Sequence, residues 1–438
     1  MTWKKNGRQI KPNYKKIAFM KSSEYDDFDD TNIREVIVDH KSGFNTLEVL
    51  VIVIISIAFG VVIGSSVSFF RKDYQGEEIS SSLRELIAVY NNIVDTYYED
   101  IDEQDLVDAA VDGMLSSLDD PYSTYMDEEN SSTFNESVDG SYHGIGVTLM
   151  LDDDNQFLIV AVSDSSPAKD AGIEAGDILL EINGETLEGL TLDEVTSKVK
   201  DSSEDVITLL LKRGDEEIEK KVSLDTIDLV SVVSEVYPLN NGNAGYIAIN
   251  NFAANTYEQF KEELKNVEKE NIKSLIIDVR SNPGGHVQQT TDILELFMKK
   301  GKVLYQIKTK DEVTKIKDTT KASRSYPIVI LINSSSASAS EILAAAFQDS
   351  YPDITLVGNT TYGKGTVQTA YNLSDGTSVK FTTEKWLTPN GKWIDGKGIT
   401  PDKTVSLNSE YLVNPIPEND LQLQTALDIL ENKENTSD

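Results

Sequence analysis

Residues 49–70 read VLVIVIISIAFGVVIGSSVSFF, 22 positions without a charge. A helix of that length matches a hydrocarbon core of about 30 Å. A buried core helix is usually shorter. A cleaved signal peptide carries a shorter apolar run close to the N-terminus, whereas 48 residues precede this one. The run therefore predicts an uncleaved transmembrane helix, and it divides the chain into two unequal parts. Residues 1–21 hold seven basic side chains (Lys4, Lys5, Arg8, Lys11, Lys15, Lys16, Lys21) and no acidic one. Arg71 and Lys72 are the only close basic residues on the other side. The positive-inside bias predicts a cytoplasmic N-terminus and an extracytoplasmic remainder at the cell membrane.

Composition narrows what that remainder does. The 438 residues carry a formal charge of −34. Residues 1–46 hold nine basic and seven acidic side chains, a net +2, which leaves −36 for the rest. So acidic a surface repels nucleic acid. There is no cysteine, which excludes disulfides, thiolate metal sites and thiol nucleophiles. Three histidines (His40, His143, His286) argue against a multi-histidine metal site.

Past the apolar run, Leu83, Leu86, Ile87, Tyr90, Ile93, Val94 and Tyr97 recur at helical spacing over 80–98. A second helix is expected over 103–118, with Val107, Val111, Met114, Leu115 and Leu118 inward, stopped by DDPYSTYM at 119–126. These helices pack either internally or on a partner chain. Over 134–225 short apolar runs (FLIVAVS, ILLEI, VITLLL) alternate with Gly, Asp and Asn turns, and TLDEVTSKV forms a helix. That pattern predicts a small, mostly antiparallel domain. From 244 onward strands (GYIAINNF, SLIIDVR, VLYQIKT, IVILIN, ITLVG) alternate with helices, which predicts a layered α/β core. The lysine-rich stretch 308–321 reads as a surface excursion, and residues 420–431 close with a short helix.

Three pieces of the α/β part carry chemistry. DVRSNPGG (278–285) ends a buried strand, and its glycines let backbone N–H groups turn toward a ligand. NSSSASASEIL (333–343) places serines at a strand-to-helix junction, where the amide of Ala339 opens a helix and can stabilise an oxyanion. Taken alone, those serines read better as caps of the helix than as a nucleophile. YGKGTVQ (362–368) sets Lys364 between glycines; a lysine is a general base only when desolvated and neutral. The full phosphate-loop pattern GxxxxGK[ST] is absent. TPNGKWIDGKGITPD (388–402) reads as structural turns.

Together these segments resemble the carboxyl-terminal processing peptidases, or tail-specific proteases, over roughly residues 80–410. The resemblance implies a nucleophile at Ser338, a general base at Lys364, and Gln368 holding the lysine. It implies an oxyanion hole from the Ala339 amide and Gly284 or Gly285, with a supporting role at most for Asp349. It also implies a PDZ domain, whose carboxylate-binding loop GIGV is Gly144, Ile145, Gly146 and Val147. The run SPAKDAGIEAGDILLEING (166–184) fits that domain. Consecutive amides there can capture a terminal carboxylate while a peptide adds as a strand.

The resulting expectation is an α+β and α/β multidomain bacterial serine endopeptidase. Its parts are a cytoplasmic tail (1–48), a transmembrane helix (49–70), a helical region (71–133), a PDZ domain (134–225), a crotonase-like or ClpP-like protease core (226–410) and a C-terminal helical tail (411–438). No cofactor or metal is expected. The partners are protein substrates with apolar C-terminal tails, the membrane and, from the resemblance, a second copy of the chain. A triad through His286 is the weaker mechanism beside the Ser–Lys dyad. The rivals are a non-catalytic PDZ scaffold, which needs none of Ser338, Lys364 and Gln368, and a crotonase-like acyl transferase, which explains neither the PDZ pattern nor the anchor.

Overall fold

The computed structural model describes residues 80–434 apart from positions 201, 241, 322 and 374. The expected transmembrane helix 49–70 and the segment before it lie outside the described residues. Among the described residues no helix is long and apolar enough to cross a membrane. The chain divides into two units after Ile101. The described part of the first is the helix Ser81–Thr96, capped by the Ser80 hydroxyl, which accepts the Leu83 N–H at 3.2 Å. None of its residues is buried, and Leu83, Leu86 and Ile87 stay exposed.

The second unit is organised around a six-stranded sheet. Its order is Val232–Leu239, Gly242–Ile249, Ile272–Asp278, Ile328–Ile332, Ile354–Gly358 and Lys403–Thr404. The first pair is antiparallel and the rest are parallel. Parallel strands covered on both faces read as continuous apolar runs, which is why LIID and IVILI carry no polar alternation. Leu275, Ile277, Ile328, Ile330 and Ile332 face the helices Thr256–Lys269, Val287–Glu295 and Ala339–Ser350. Ile276, Val329 and Leu331 face the other way, onto Leu423, Ala426 and Leu430 of the helix Leu421–Glu434. That final helix thus packs on this face of the sheet, chiefly over the strands Ile328–Ile332 and Ile354–Gly358.

A second sheet holds Thr124–Met126, Ser378–Leu387, Val303–Lys308 and Val313–Lys317 in that order, with Thr366–Asn372 paired to Ser378–Leu387. The strand expected at 303–309 therefore leaves the α/β alternation and joins this antiparallel layer. The lysine-rich stretch after it is not a plain excursion: it contributes the mostly exposed strand Val313–Lys317. Helix Glu103–Ser116 also departs from expectation. Only Leu115 of it is buried, while Val107, Met114 and the following Leu118 stay exposed, because it packs on the three-residue strand Thr124–Met126 rather than under a full layer.

Residues 147–223 form an antiparallel sheet, Val147–Leu151, Phe157–Val162, Ile178–Ile182, Val206–Arg213 and Glu216–Ser223, closed by the helix Leu192–Lys200. Ile159, Ile173, Leu187, Val195, Ile207, Leu209 and Leu211 are its core. Strand Val147–Leu151 is an edge. Because Leu430 of the final helix is buried against the six-stranded sheet, Leu430→Ala should lower stability by about 2–5 kcal/mol. A urea titration checks this; an unchanged midpoint would mean that the helix contributes little to the fold.

Candidate active site

Three neighbouring parallel strands end on the same side of the large sheet, and the three chemistry-bearing segments leave from those ends. This is where open α/β sheets present ligand sites. The strand Ile272–Asp278 leads to the PGG turn, Ile328–Ile332 to Ser338, and Ile354–Gly358 to Lys364.

Ser338 stands immediately before the helix Ala339–Ser350 with φ 54° and ψ −114°. A non-glycine residue there carries about 1–3 kcal/mol of strain. The surroundings hold it in place. Asn282, fully buried, bonds on every side: its carbonyl accepts the Ala337 N–H (3.0 Å) and the Ser340 hydroxyl (2.9 Å), while its amide donates to the Ile249 carbonyl (2.8 Å). Ser336 donates to the Val279 carbonyl at 2.7 Å. The PGG turn closes over the serine. A Cβ added to Gly284 (φ +107°) would lie 2.8 Å from Ser338 Cβ and 3.1 Å from the Ala339 nitrogen, so only glycine fits. The Gly284 N–H donates to Asn282 Oδ1 at 2.8 Å. No acceptor among the described residues takes the N–H of Gly285 or of Ala339.

The group that joins the serine to the lysine is Glu341, with no solvent exposure. One of its oxygens, Oε2, accepts the backbone N–H of Ser338 and that of Lys364, both at 2.9 Å. The other, Oε1, accepts the Gly363 N–H (2.7 Å) and the Thr361 hydroxyl (2.5 Å). Four donors and no acceptor surround it, the environment of an ionised carboxylate. Burying a charge costs several kcal/mol, and hydrogen bonds of about 1.5–3 kcal/mol each to a charged group offset it. The lysine loop is tied from behind as well: Trp386 Nε1 donates to the Lys364 carbonyl (2.7 Å) and Trp393 Nε1 to the Gly365 carbonyl (3.2 Å).

Burial pushes the Lys364 amine below its ordinary value, and the nearby Lys380 adds to this; Asp120 and Glu341 oppose it. Its Nζ lies over the Tyr122 ring, 4.7 Å from the centroid. Among the described residues no hydrogen bond links Lys364 to Ser338 or to Gln368. The Gln368 amide donates instead to Thr366 and Thr382 at 2.9 and 3.0 Å. His286 has no hydrogen bond to Ser338; its backbone N–H donates to the Phe252 carbonyl (2.7 Å) ahead of the helix Val287–Glu295. Asp349 accepts the Asn390 N–H at 3.1 Å and so fixes the 388–392 turn.

The GIGV loop lies away from these groups, at the start of the edge strand Val147–Leu151. Gly146 has φ +84°, and a Cβ there would meet Ser166 Cβ at 2.2 Å. Among the described residues nothing accepts the N–H of Ile145 or Gly146. The loop borders an apolar groove with Leu149, Leu179, Leu192 and Val199, and Lys200 stands at its rim.

Residues 243–405 match the peptidase family S41, residues 136–212 the PDZ domain, and residues 64–130 the N-terminal domain of the activating protease CtpB. The carboxy-terminal processing protease CtpA of Bacillus subtilis (strain 168) is 38% identical over 331 residues, 75% of this chain and 70% of that one. The chain belongs to the carboxy-terminal processing proteases of family S41. A probable CtpA-like serine protease of Staphylococcus epidermidis (strain ATCC 12228 / FDA PCI 1200) is 36% identical, covering 80% of this chain and 70% of its own. A CtpA-like protease of Staphylococcus aureus (strain COL) is 34% identical over 84% of this chain and 73% of its own. This S41 protein is thus a serine-type endopeptidase with a PDZ domain, and the scaffold and acyl-transferase readings fall away.

Sequence reasoning missed Glu341, Asn282 and Tyr122. The first was visible as Ser-x-x-Glu at 338–341, the pattern of a capping box. Glu341→Gln replaces one acceptor oxygen by a donor, so at least one N–H of the site is left unsatisfied. Stability should fall by about 1–3 kcal/mol per orphaned donor. Peptidase activity should fall about 10²-fold, as expected for a misplaced reactive group. Urea denaturation and a peptide-cleavage assay measure both; wild-type activity in this variant would show that the carboxylate does not set the geometry.

Proposed function

We propose that Ser338 is the nucleophile and Lys364 its general base in cleaving protein substrates recognised by their C-terminal tails. The observation that carries this reading is the shared Glu341 oxygen on the backbone N–H groups of both residues. It keeps the two backbones in fixed register, while the lysine Nζ makes no hydrogen bond among the described residues and rests on the Tyr122 ring. Neutral Lys364 takes the proton of Ser338 Oγ as the oxygen adds to the scissile carbonyl. The oxyanion accepts the Ala339 N–H and the Gly285 N–H; the Gly284 N–H is already engaged by Asn282, which supports Gly285. The lysine ammonium protonates the leaving amine, giving an acyl-enzyme, and the neutral amine then activates water for deacylation. Gln368 Oε1, with no donor among the described residues, is suited to hold the amine once it turns toward Ser338.

The substrate tail would place its carboxylate on the amides of Ile145 and Gly146 and its last apolar side chain in the groove beside Leu149, Leu179 and Val199. Its backbone would extend the edge strand Val147–Leu151. Lys200 at the groove rim is held by both oxygens of Glu136 at 2.8 Å, and Glu136 lies on Glu128–Asp139, the helix that follows strand Thr124–Met126. That chain of contacts supports control of the active site by tail binding. Residues 1–48 would be cytoplasmic, 49–70 the membrane anchor, and the helical region (71–133), the PDZ domain (134–225), the protease core (226–410) and the C-terminal tail (411–438) extracytoplasmic. The exposed Leu83, Leu86 and Ile87 support a homodimer through the helical region.

Ser338→Ala and Lys364→Ala should each lower kcat/KM by about 10⁴-fold or more with the fold intact, and His286→Ala should stay within a few-fold of wild type. The reverse pattern would move the base to histidine. Since the neutral amine is the active form and its pKa is lowered, kcat/KM should rise with pH through a value below the usual 10.5 of a lysine. A free peptide with an apolar C-terminus should stimulate cleavage of a second substrate if tail binding opens the site; simple competition would remove the control. Protease added to intact protoplasts should digest the PDZ and catalytic parts, and protection until lysis would reverse the topology.

A further inference from the structure

The turn 119–123, which reads in the sequence as a helix stop, delivers an aromatic face to the lysine. It lies between the helix Glu103–Ser116 and the strand Thr124–Met126, and that strand pairs with Ser378–Leu387, Thr124 opposite Lys380. The turn is pinned on both sides. Asp120 accepts the Tyr122 N–H (3.2 Å) and the Ser123 hydroxyl (2.6 Å), and Ser123 Oγ accepts the Thr382 N–H (3.3 Å). The Tyr122 ring thereby comes under the Lys364 ammonium, 4.7 Å from Nζ to centroid.

We propose that Tyr122 is a positioning residue for the lysine base: its ring face holds the Lys364 ammonium at rest, and the amine leaves that face for Ser338 once it has lost its proton. The proposal rests on Lys364 being the base. The attraction between an aromatic face and a cation is electrostatic, and a neutral amine does not share it. The ring therefore favours the protonated, inactive form, while burial and Lys380 favour the neutral one. The charged groups facing Lys364 are Lys380, Asp120 and Glu341; those facing Tyr122 are Asp120, Asp395 and the Tyr362 hydroxyl. Lys380 has its own aromatic contact, with Phe134 at 4.9 Å, so it does not compete for Tyr122. Burial, with Tyr362 beside it, pushes the Tyr122 hydroxyl up to about 12, so the ring stays a neutral phenol across the working range of pH.

The test is the pH dependence of kcat/KM on a fluorogenic unstructured peptide, using the intact protein. Tyr122→Leu removes the face but keeps an apolar side chain. It should move the acid limb of the profile to lower pH by about half to one and a half units, the worth of one such contact. Tyr122→Phe keeps the face and should leave the limb where it was. If Tyr122→Leu melts too readily to assay, Tyr122→Trp, with the strongest cation-binding face, should move the limb to higher pH. An unmoved limb in the leucine or the tryptophan variant, or a phenylalanine variant that behaves like leucine, overturns the proposal. Lys364→Ala separates this from the base assignment. If that variant is inactive at every pH while Tyr122→Leu leaves the limb unmoved, only the role of Tyr122 fails; if it stays active, the base assignment fails and the role of Tyr122 with it.

Discussion

A carboxylate sealed from solvent, Glu341, joins the serine segment and the lysine loop of this protease. Placed on the first turn of the serine helix, it binds the N–H of the residue that precedes the helix and three donors of the loop after the next strand. A charge in such a place is tolerated only while all its donors are present. The serine backbone, strained at φ 54°, and the lysine loop are therefore tied to each other through one side chain. The parallel sheet makes this possible, because neighbouring strands in parallel end at the same level and their loops meet.

The lysine is treated differently from its backbone. Its carbonyl and N–H are fixed by Trp386 and Glu341, whereas among the described residues its amine makes no hydrogen bond and rests on Tyr122. The PDZ groove has an open edge strand, and the N–H groups of Ile145 and Gly146 find no acceptor among the described residues, which leaves hydrogen-bonding capacity there for a partner. Both features lie at strand ends or edges, where a sheet exposes backbone groups that it cannot satisfy internally.

The sequence made the large sheet easy to read, since LII (275–277) and IVILI (328–332) are unbroken apolar runs and only a strand buried on both faces needs that. The glycine turn and the serine and lysine segments were legible as loops at strand ends, because Gly, Pro and Ser punctuate the apolar runs locally. What was not legible depended on contacts far apart in the chain. VLYQIKT reads like its neighbours yet pairs with Ser378–Leu387 in another sheet, since an apolar run does not name its partner. Glu341 was visible only as half of a helix cap; its bonds to Gly363 and Lys364 come from a loop about twenty residues on. Tyr122 stood in a turn some 240 residues before the lysine that it contacts. Helix 103–118 carried an apolar face that its small neighbouring strand does not cover.

The central claim is that Ser338 becomes acylated with Lys364 as the base. Rapid mixing with an unstructured protein substrate, acid quenching and peptide mapping by mass spectrometry measure this directly. The account predicts an ester on Ser338 that builds up within the first turnover, forms faster as pH rises, and is absent when Lys364 is alanine. An adduct on another residue, or one that still forms on Ser338 at the wild-type rate without Lys364, would contradict it.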